Sequence, residues 1–324
     1  MAPAICRLIL LCAFVTAATP VRAAEPASPD APVELALDPA STQDLRIGEA
    51  PASDTEEKPK PDIFYLPTPQ RVVDLMLLMA EVSKDDMLYD LGSGDGRLVI
   101  TAAKRYGARG IGIEIDPKLL AEARRNAIAA KVQDKVDFRQ QDLFKSDFKD
   151  ATVITLYLLD SLNERLRPQI FAQVKPGTRI VSHAFRMGDW EPEMARTMKL
   201  QGKTYDAFFW IVPANMSGRW RVRAEGSTKE LPESVVVEQT FQKFTIRRSD
   251  GGNVIGEGSL AGKEFVLSAK LGPSNKPASF TGRVEGNTIK ANAAGKGASW
   301  SAEREPGTEK PLDPGGSATP PPAL

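Results

Sequence analysis

The sequence predicts an α/β fold in which helices cover both faces of a sheet, followed by a small antiparallel all-β domain. Three observations support this prediction. Across residues 62–213, short apolar strand segments alternate with segments whose apolar side chains recur at helical spacing. A glycine-rich turn, Gly92-Ser93-Gly94-Asp95-Gly96, joins the first strand to a helix. After Pro213 the pattern changes to short β segments separated by Gly, Asn, Asp and Pro residues.

Length, charge and cysteine content narrow the class of protein. A chain of 324 residues is long enough for two domains. Its formal net charge is zero and no dense stripe of Lys and Arg occurs, so a nucleic-acid partner has no electrostatic support. The sequence contains no cluster of Cys and His residues, so it does not predict a metal site. The two cysteines, Cys6 and Cys12, lie near the N-terminus, in a segment that the next observation predicts to be removed.

The N-terminal segment has the pattern of a signal peptide. Arg7 precedes an apolar run, Leu8 to Val15, and Val21-Arg22-Ala23 has the small-residue form of a signal-peptidase site. We expect residues 1–23 to be cleaved and the protein to be exported, either periplasmic or secreted. The alternative is an uncleaved anchor, although the apolar run is shorter than the roughly 20 residues that span a bilayer. Residues 24–61, rich in Ala, Pro, Asp and Glu, are predicted to form a flexible linker.

Helices and strands alternate through the first domain. A helix is expected over residues 71–82, with Thr68 as its N-cap and Pro69 at its first position, and Asp116-Pro117 begins a later helix in the same way. The predicted strands are 86–90, 110–115, 135–140, 151–159 and 178–183, and the other predicted helices are 97–106, 117–130 and 162–173. Ligands of such sheets bind beyond the carboxyl ends of the strands.

The second domain, residues 214–304, is predicted to be an antiparallel β-barrel or sandwich. Its expected strands are 217–223, 235–248, 253–259, 264–270, 279–284, 288–293 and 298–303. Trp220 and Trp300, in the first and last of these strands, are expected in its core because large aromatic side chains fill such cores. Residues 305–324, rich in Pro and Gly, are predicted to be a disordered tail.

The glycine-rich turn predicts a cofactor site. Glycines after a buried strand allow a tight turn beneath a ligand, and the following helix directs its free N–H groups toward that ligand. The spacing is G-x-G-x-G, with Arg97 where the dinucleotide fingerprint would continue, which disfavours nicotinamide and flavin cofactors and favours S-adenosyl-L-methionine. Asp90 ends the first strand and Glu114 ends the second, where a cationic amino-acid end and a ribose diol can be held.

Several motifs together carry a resemblance to a known family. They are Tyr65-Leu66-Pro67-Thr68-Pro69, Asp90-Leu91-Gly92-Ser93-Gly94-Asp95-Gly96-Arg97, Gly112-Ile113-Glu114, Gln141-Asp142-Leu143-Phe144, Thr155-Leu156-Tyr157-Leu158-Leu159, Val181-Ser182-His183-Ala184-Phe185 and Gly188-Asp189-Trp190. Over residues 62–213 the chain resembles the seven-β-strand, class I protein-lysine methyltransferases, and within these the adenine nucleotide translocase and ATP synthase c-subunit lysine methyltransferase family with its bacterial relatives. This implies a Rossmann-like methyltransferase sheet. Asp160 departs from the family, whose members often have Pro there, at a position that borders the expected acceptor pocket.

The resemblance also implies which residues bind the cofactor. The methionine part would contact the segment that holds Asp90, Gly92, Ser93, Gly94 and Gly96. Glu114 would accept hydrogen bonds from the ribose hydroxyls, and Asp142 would accept one from the adenine amino group. The chemistry of the side chains supports both roles, because a carboxylate offers two acceptor oxygens. Asp95 has two equal interpretations, a helix N-cap or a ligand contact.

Methyl transfer is an in-line displacement, so the enzyme mainly positions the nucleophile. A lysine acceptor must also lose its proton, which desolvation beside a cation favours. Tyr157 is the leading candidate for orienting an amine, followed by Tyr65, Phe185 and Trp190, although each of these has an alternative role in core or lid packing. His183, the single histidine, is the candidate base for a hydroxyl acceptor, and its alternative role is structural.

These observations predict an S-adenosyl-L-methionine-dependent methyltransferase that transfers a methyl group to the ε-amine of a protein lysine. We expect a protein substrate, no nucleic-acid partner, and docking of the substrate or the cell envelope by the β-domain. One alternative is a methyltransferase for a small envelope or lipid-like acceptor. The other is a binding protein that has kept the cofactor fold without turnover.

Overall fold

The computed structural model describes residues 65–225, 231–248, 251–270, 277–293 and 299–313. The predicted signal peptide, residues 1–23, and the whole of the predicted linker, residues 24–61, lie outside these residues. Among the described helices, none is both long enough and apolar enough to cross a membrane.

The first part of the chain forms a seven-stranded mixed sheet with the strand order β3-β2-β1-β4-β5-β7-β6. Five strands run parallel, β7 pairs antiparallel with β5, and β6 pairs antiparallel with β7. The strands are β1 Met87–Leu91, β2 Arg109–Glu114, β3 Val136–Gln140, β4 Val153–Leu156, β5 Arg179–His183, β6 Met194–Leu200 and β7 Lys203–Ile211. The predicted Rossmann-like fold is confirmed, and β6 and β7 are added to the five strands predicted from local pattern.

Helices cover both faces of this sheet. They are α1 Gln70–Met79, α2 Arg97–Tyr106, α3 Pro117–Ala129 and α4 Asp160–Gln173. Apolar side chains of α1, α2 and α3 form one core with one face of the sheet, as at Met76, Leu98 and Leu120. Side chains of α4, including Leu166 and Ile170, form a second core against the other face. Each face of the sheet therefore has its own apolar layer.

The two predicted helix starts differ in the structure. Asp116 is the N-cap of α3, where its side chain accepts a hydrogen bond from the Lys118 N–H at 2.7 Å, as predicted. Thr68 is not the N-cap of α1, which is Pro69 without a side-chain cap. The Thr68 hydroxyl instead lies 3.1 Å from Nδ1 of the buried His183. A buried imidazole needs a hydrogen-bond partner, and this need outweighs the capping preference of threonine.

The second part of the chain forms a closed antiparallel barrel of eight strands, and its core lies inside it. The strands are β8 Gly218–Glu225, β9 Ser234–Thr240, β10 Lys243–Arg247, β11 Val254–Ala261, β12 Glu264–Ala269, β13 Ala278–Glu285, β14 Thr288–Ala293 and β15 Ser299–Arg304. The barrel closes because β15 pairs with β8. The strand predicted over residues 235–248 is two strands, because the chain reverses at Phe241 with a φ of 51°.

Aromatic side chains fill the barrel, and two glycines make room for them. Trp220 and Trp300 are buried in this core, as predicted. A Cβ on Gly258 would lie 2.4 Å from the Phe244 ring, and a Cβ on Gly282 would lie 2.4 Å from the Phe265 ring. The backbone approaches each ring closely at these glycines because no side chain stands between them.

Residues 305–313, which we call the C-terminal strap, return from the barrel toward the sheet. The Lys310 N–H donates to the Ser217 hydroxyl at 2.8 Å, and the Lys310 carbonyl accepts from the Asn215 side chain at 2.7 Å. Leu312 is buried, and its carbonyl accepts from the Phe241 N–H at 3.4 Å. The prediction of a disordered tail is therefore wrong for residues 305–313, because backbone hydrogen bonds fix this segment. Residues 314–324 lie outside the described residues.

The β9–β10 turn of the barrel contributes to the second core of the sheet. Phe241 packs with its ring centroid 5.8 Å from that of Trp190 and 6.0 Å from that of Phe171. The neighbouring Gln242 side chain donates to the Glu191 carbonyl at 2.6 Å. The barrel thus adds one aromatic ring to a core that is otherwise built from residues 65–213.

We predict that a chain shortened to residues 62–213 folds but melts lower than the whole chain. The shortened chain lacks Phe241, which packs in one core of the sheet, and removing a buried aromatic side chain costs about 3 to 5 kcal/mol, or roughly 10 °C for a domain of this size. It also lacks Asp313, the buried ion-pair partner of Arg167 on α4, and this loss adds to the shift. Thermal unfolding followed by circular dichroism measures the shift. Phe241→Ala in the whole chain is the control for the aromatic contact and is expected to lower the melting temperature of the sheet by less than the truncation does. A shortened chain without a cooperative transition would contradict the prediction.

Candidate cofactor and acceptor site

The carboxyl ends of the five parallel strands bring the predicted site residues into one row. In spatial order, Asp142 follows β3, Glu114 ends β2, Asp90 lies in β1, Tyr157 follows β4 and Phe185 follows β5. Strands lie about 4.8 Å apart, so the row covers roughly 19 Å. All five residues line one cavity of about 670 Å³. The sheet order therefore separates a β3–β2–β1 half of the cavity from a β4–β5 half.

The glycine-rich turn forms the floor of the first half. Gly92, Gly94 and Gly96 have φ values of +87°, +53° and +81°, a left-handed conformation that favours glycine. Gly96 is the N-cap of α2, which places the free N–H groups of that helix beside the turn. Ser93 lines the cavity, and among the described residues its buried hydroxyl has no hydrogen-bond partner. Gly94 and Gly96 shape the turn but do not line the cavity.

Glu114 ties the end of β2 to this turn. Its Oε2 accepts from the Gly94 N–H at 2.8 Å, and its Oε1 accepts from the N–H groups of Ile115 and Asp116 at 2.8 and 2.9 Å. The side chain is buried. Each carboxylate oxygen has two lone pairs, so Oε2 retains one for a further donor. A ribose hydroxyl is a donor of this kind.

Asp90 is a buried carboxyl group with one protein donor. The Thr155 hydroxyl donates to its Oδ1 at 2.6 Å, and the parallel register of β1 and β4 places the two residues side by side. Burial, with smaller contributions from Glu114 and Asp95, raises the pKa of Asp90 to about 7. A cationic ligand group beside Asp90 would stabilise the charged form.

Asp142 and Asp95 each use part of their carboxylate within the protein. Asp142 Oδ1 accepts from the Phe144 N–H at 2.9 Å and begins a short 3-10 turn, Leu143–Lys145. Asp95 forms an ion pair with Arg97 at 2.5 Å while also lining the cavity. Because Gly96 holds the N-cap position of α2, the structure places Asp95 one residue before the cap.

Tyr65 lies over the glycine-rich turn. A Cβ on Gly94 would lie only 2.2 Å from the Tyr65 ring, so this approach requires glycine. Burial of the hydroxyl, followed by the charge of Asp95, raises the pKa of Tyr65 to about 12. Tyr65 is therefore a neutral side chain at ordinary pH, and 43% of its surface is exposed beside Leu66 at the cavity.

The β4–β5 half of the cavity is aromatic and apolar. Tyr157 stacks on His183 with ring centroids 3.9 Å apart and faces Phe185 at 6.0 Å. The other lining residues of this half are Leu158, Leu159 and Leu162. The motif Thr155-Leu156-Tyr157-Leu158-Leu159 indicated no role for Thr155 or for these leucines. The pairing of β1 with β4 places Thr155 beside Asp90.

His183 and Trp190 do not line this cavity. His183 is 2% exposed, and burial lowers its pKa to about 4, so its ring is neutral at ordinary pH. Its Nδ1 contacts the Thr68 hydroxyl, and one of its faces packs against Tyr157. Trp190 is fully buried in the second core of the sheet. The structure thus brings Tyr65, Tyr157 and Phe185 to the cavity and leaves these two behind it.

The polar side chains of the β3–β2–β1 half fit S-adenosyl-L-methionine. Asp90 suits the cationic amino-acid end, Oε2 of Glu114 has capacity for a ribose hydroxyl, and the unpartnered Ser93 hydroxyl has an open hydrogen-bonding capacity. Within the described part of the chain, no group of three His, Cys, Asp or Glu side chains is placed to hold a metal ion.

Comparisons with known proteins agree with this assignment. A family model described as "ANTKMT methyltransferase domain" matches residues 90–194. The chain is 37% identical over 153 residues to a protein-lysine N-methyltransferase of Saccharolobus islandicus, a match that covers 47% of this chain and 95% of that enzyme. It is 35% identical over 106 residues to the adenine nucleotide translocase lysine N-methyltransferase of Mus musculus, covering 32% of this chain and 46% of the mouse enzyme.

Among solved structures, the chain is similar to an RNA methyltransferase from Salinibacter ruber in complex with S-adenosyl-L-homocysteine. The identity is 55% and the TM-score is 0.44, over 47% of this chain and 96% of that one. The match to the methyltransferase family, rather than this structural similarity, identifies the cofactor of this chain as S-adenosyl-L-methionine.

We predict that Glu114→Ala weakens S-adenosyl-L-methionine binding. The change removes an acceptor for the ribose and the partner of three backbone N–H groups, and losing one such buried partner costs about 1 to 3 kcal/mol, or roughly 5- to 150-fold in affinity. Isothermal titration calorimetry measures the affinity. Glu122→Ala, at an exposed position of α3, is the matched control and should leave it unchanged. Unchanged affinity in a folded Glu114→Ala protein would contradict the assignment.

We predict that cofactor affinity rises with pH up to about 7, the pKa to which burial raises Asp90. The cationic end of the cofactor binds the carboxylate form, so each pH unit below 7 should lower the affinity by up to about tenfold. An α-amino group keeps its proton over this range, and His183 titrates only near 4. Calorimetry from pH 5.5 to 7 measures the slope. Asp90→Asn should bind weakly with no such slope, and a slope retained in this variant would show that another group titrates.

Proposed function

We propose that the acceptor of this enzyme is the ε-amine of a protein lysine. The premise is its family: the chain belongs to the S-adenosyl-L-methionine-dependent methyltransferases that include the Saccharolobus islandicus protein-lysine N-methyltransferase. The observation that carries the proposal is the make-up of the β4–β5 half of the cavity. Aromatic rings line it, whereas the single histidine of the chain lies behind it.

An amine acceptor suits this half of the cavity. The faces of Tyr157 and Phe185 attract an ammonium group as it enters, because aromatic rings carry a negative face. The apolar neighbours Leu158 and Leu162 then remove water from it. Desolvation lowers the pKa of an amine, which ordinarily lies near 10.4 for lysine, and so favours the neutral nucleophile.

A hydroxyl acceptor would need a general base, and the described residues offer none at this place. His183 is the only imidazole of the chain, and it is buried behind Tyr157 with one ring nitrogen held by Thr68. The carboxyl groups that line the cavity, such as Asp90 and Glu114, belong to the half that suits the cofactor. This arrangement supports positioning of an amine over base catalysis.

The residues of this chain have separate tasks in the reaction. S-adenosyl-L-methionine, when bound, supplies an electrophilic methyl group on a sulfonium. Asp90 and Glu114 would hold the cofactor, and Tyr65 would cover the turn that contains Gly94. Tyr157 would orient the acceptor amine, which is a matter of placement that can contribute about 7 to 11 kcal/mol in favourable cases.

We also propose that the enzyme acts outside the cytoplasm, with its acceptor in the cell envelope. The N-terminal pattern from Arg7 to Ala23 supports export, either with cleavage or with the segment retained as an anchor. In this proposal the barrel is the part that associates with the envelope. The match to the Saccharolobus islandicus enzyme spans 153 residues, which is 95% of that enzyme but only 47% of this chain, so the rest of this chain is available for another task.

We predict that Tyr157→Ala lowers methyl transfer to protein more than His183→Asn does. An amine needs orientation and desolvation, whereas a hydroxyl normally needs a base worth roughly 100- to 10,000-fold. The measurement follows label from the methyl group of the cofactor into envelope and cytoplasmic extracts, each separated into protein, lipid and RNA fractions. Label on lysine in envelope protein, rising with pH, is the expected result.

The controls separate chemistry from folding. Tyr106→Ala, at the end of α2 remote from the carboxyl edge of the sheet, is the matched control for Tyr157→Ala. Label confined to the lipid or RNA fraction would overturn the lysine proposal. A loss of more than about 100-fold for His183→Asn in a folded protein would favour a hydroxyl acceptor. Label found only in cytoplasmic protein would overturn the proposed location.

A further inference from the structure

We propose that Arg167 is a positioning residue through which the barrel and the C-terminal strap hold the acceptor side of the active site. Arg167 lies on α4 and does not line the cavity. It joins three parts of the chain: the strap, the β9–β10 turn of the barrel, and residues 184–190. We call this last segment the acceptor loop, because it contains Phe185.

The Arg167 guanidinium contacts all three parts at once. Its Nε and Nη2 donate to the two carboxylate oxygens of Asp313 in the strap, at 2.8 and 3.1 Å. Its Nη1 donates to the Met187 carbonyl at 2.8 Å and to Asp189 at 2.5 Å. Its Cζ lies 4.7 Å from the centre of the Phe241 ring. A planar group with several donors can make these contacts together, and a lysine ammonium cannot.

Burial makes this contact depend on the strap. The Arg167 side chain is 2% exposed, and the Asp313 side chain is 8% exposed. Asp189, the other carboxylate, is 69% exposed and therefore screened by water. Removing one partner of a buried ion pair leaves an uncompensated charge, which the surrounding structure must move to hydrate. The acceptor loop contacts the same guanidinium through Met187 and Asp189, so it is the segment that we expect to move.

The acceptor loop transmits this contact to the cavity. Its first half contains Phe185, a lining residue, and its second half lies on Arg167. Between them, the Arg186 backbone bonds to α4, with its N–H donating to Asp160 at 2.5 Å and its carbonyl accepting from Asn163 at 3.0 Å. Both of these partners lie in the first turn of α4, next to the lining residue Leu159.

The backbone of the acceptor loop needs outside support. Ala184 has a φ of +64°, which is strained for a residue with a Cβ, and Gly188 has a φ of +61°. Such conformations persist when the surrounding structure holds them. The strap and the β9–β10 turn provide part of this support. Residues that are distant in sequence from those lining the cavity therefore help to determine the position of Phe185.

Asp313→Asn in the whole protein tests this inference. The change keeps the shape of the side chain and removes its charge. We expect backbone amides of residues 184–190 to exchange with deuterium about tenfold faster, while peptides that contain residues 90–96 keep their rate. We expect the amount of extract protein needed for half-maximal labelling to rise roughly fivefold, with the maximal rate and the cofactor affinity within about twofold.

Two further variants make the test decisive. Arg167→Lys keeps the charge but not the forked contact, and should change exchange and labelling in the same direction. Asp189→Asn alters only the exposed partner, leaves the buried pair intact and should speed exchange of residues 187–190 to a smaller degree. Glu303→Gln, which alters an exposed ion pair with Arg223 in the barrel, is the matched control and should leave all the measured quantities unchanged.

The outcomes separate this inference from the proposed function, on which only its labelling arm rests. Unchanged exchange of residues 184–190 in a folded Asp313→Asn protein would overturn the inference. A lower maximal rate with unchanged half-maximal labelling would show a merely structural role for the pair. Should Asp313→Asn fail to fold, the exchange of residues 184–190 in Arg167→Lys decides, because that variant loses the forked contact with Asp313. If the unaltered enzyme labels no lysine, the proposed function fails while the exchange arm still decides the role of Arg167.

Discussion

The bonds of the Glu114 carboxylate to three backbone N–H groups are the contact on which the rest of the cofactor site depends. They fix the end of β2 against the glycine-rich turn and leave one lone pair directed to a ligand. Without this bond to Gly94, the turn beneath Tyr65 would lose its position relative to β2. The same carboxylate is one of the charges that raise the pKa of Asp90, so it also affects the charge of the group that we predict to hold the amino-acid end of the cofactor.

The active site is divided by the order of the strands. Polar side chains of the outer strands β3 and β2 and the central strand β1 suit a charged nucleoside, and the aromatic side chains after β4 and β5 suit an amine that must lose its proton. Neither half needs a dedicated base. His183 has a different role, because its neutral ring connects the Thr68 segment to Tyr157 and so joins the cover of the turn to the acceptor side.

Much of the cofactor half could be predicted from the sequence, because its residues are local. Asp90, the glycines and Glu114 each lie at the end of a strand, and the order of parallel strands brings such ends together. Thr68 shows where this reasoning stops. Thr68-Pro69 and Asp116-Pro117 have the same local pattern, but only Asp116 caps its helix. The hydroxyl of Thr68 bonds to His183, a partner distant in the chain that no local pattern indicates.

The strap and the β9–β10 turn were missed for the same reason. Proline and glycine content predicted disorder from residue 305, whereas the segment is fixed by bonds to Ser217, Asn215 and Arg167. The reversal at Phe241 lacks the usual turn residues. The aromatic ring at this position packs on Trp190 in the core of the sheet and not within the barrel, and this contact requires a phenylalanine where a turn residue would be expected. Contacts between distant segments, rather than local preference, determine both features.

The closure of the barrel has a consequence for the order in which the molecule assembles. Its first strand, β8, pairs with its last, β15, so the barrel cannot close until nearly all of its residues have been synthesised. Pairing of segments so distant in sequence carries a large loop-closure entropy, and such topologies fold slowly. The sheet precedes the barrel in the chain, so its strands are synthesised first. The strap, and with it Asp313, follows the barrel in the chain. A nascent chain therefore contains the strands that carry both halves of its cavity before the strap is made, and the contact of Asp313 with Arg167 is the part of the structure that has to form afterwards.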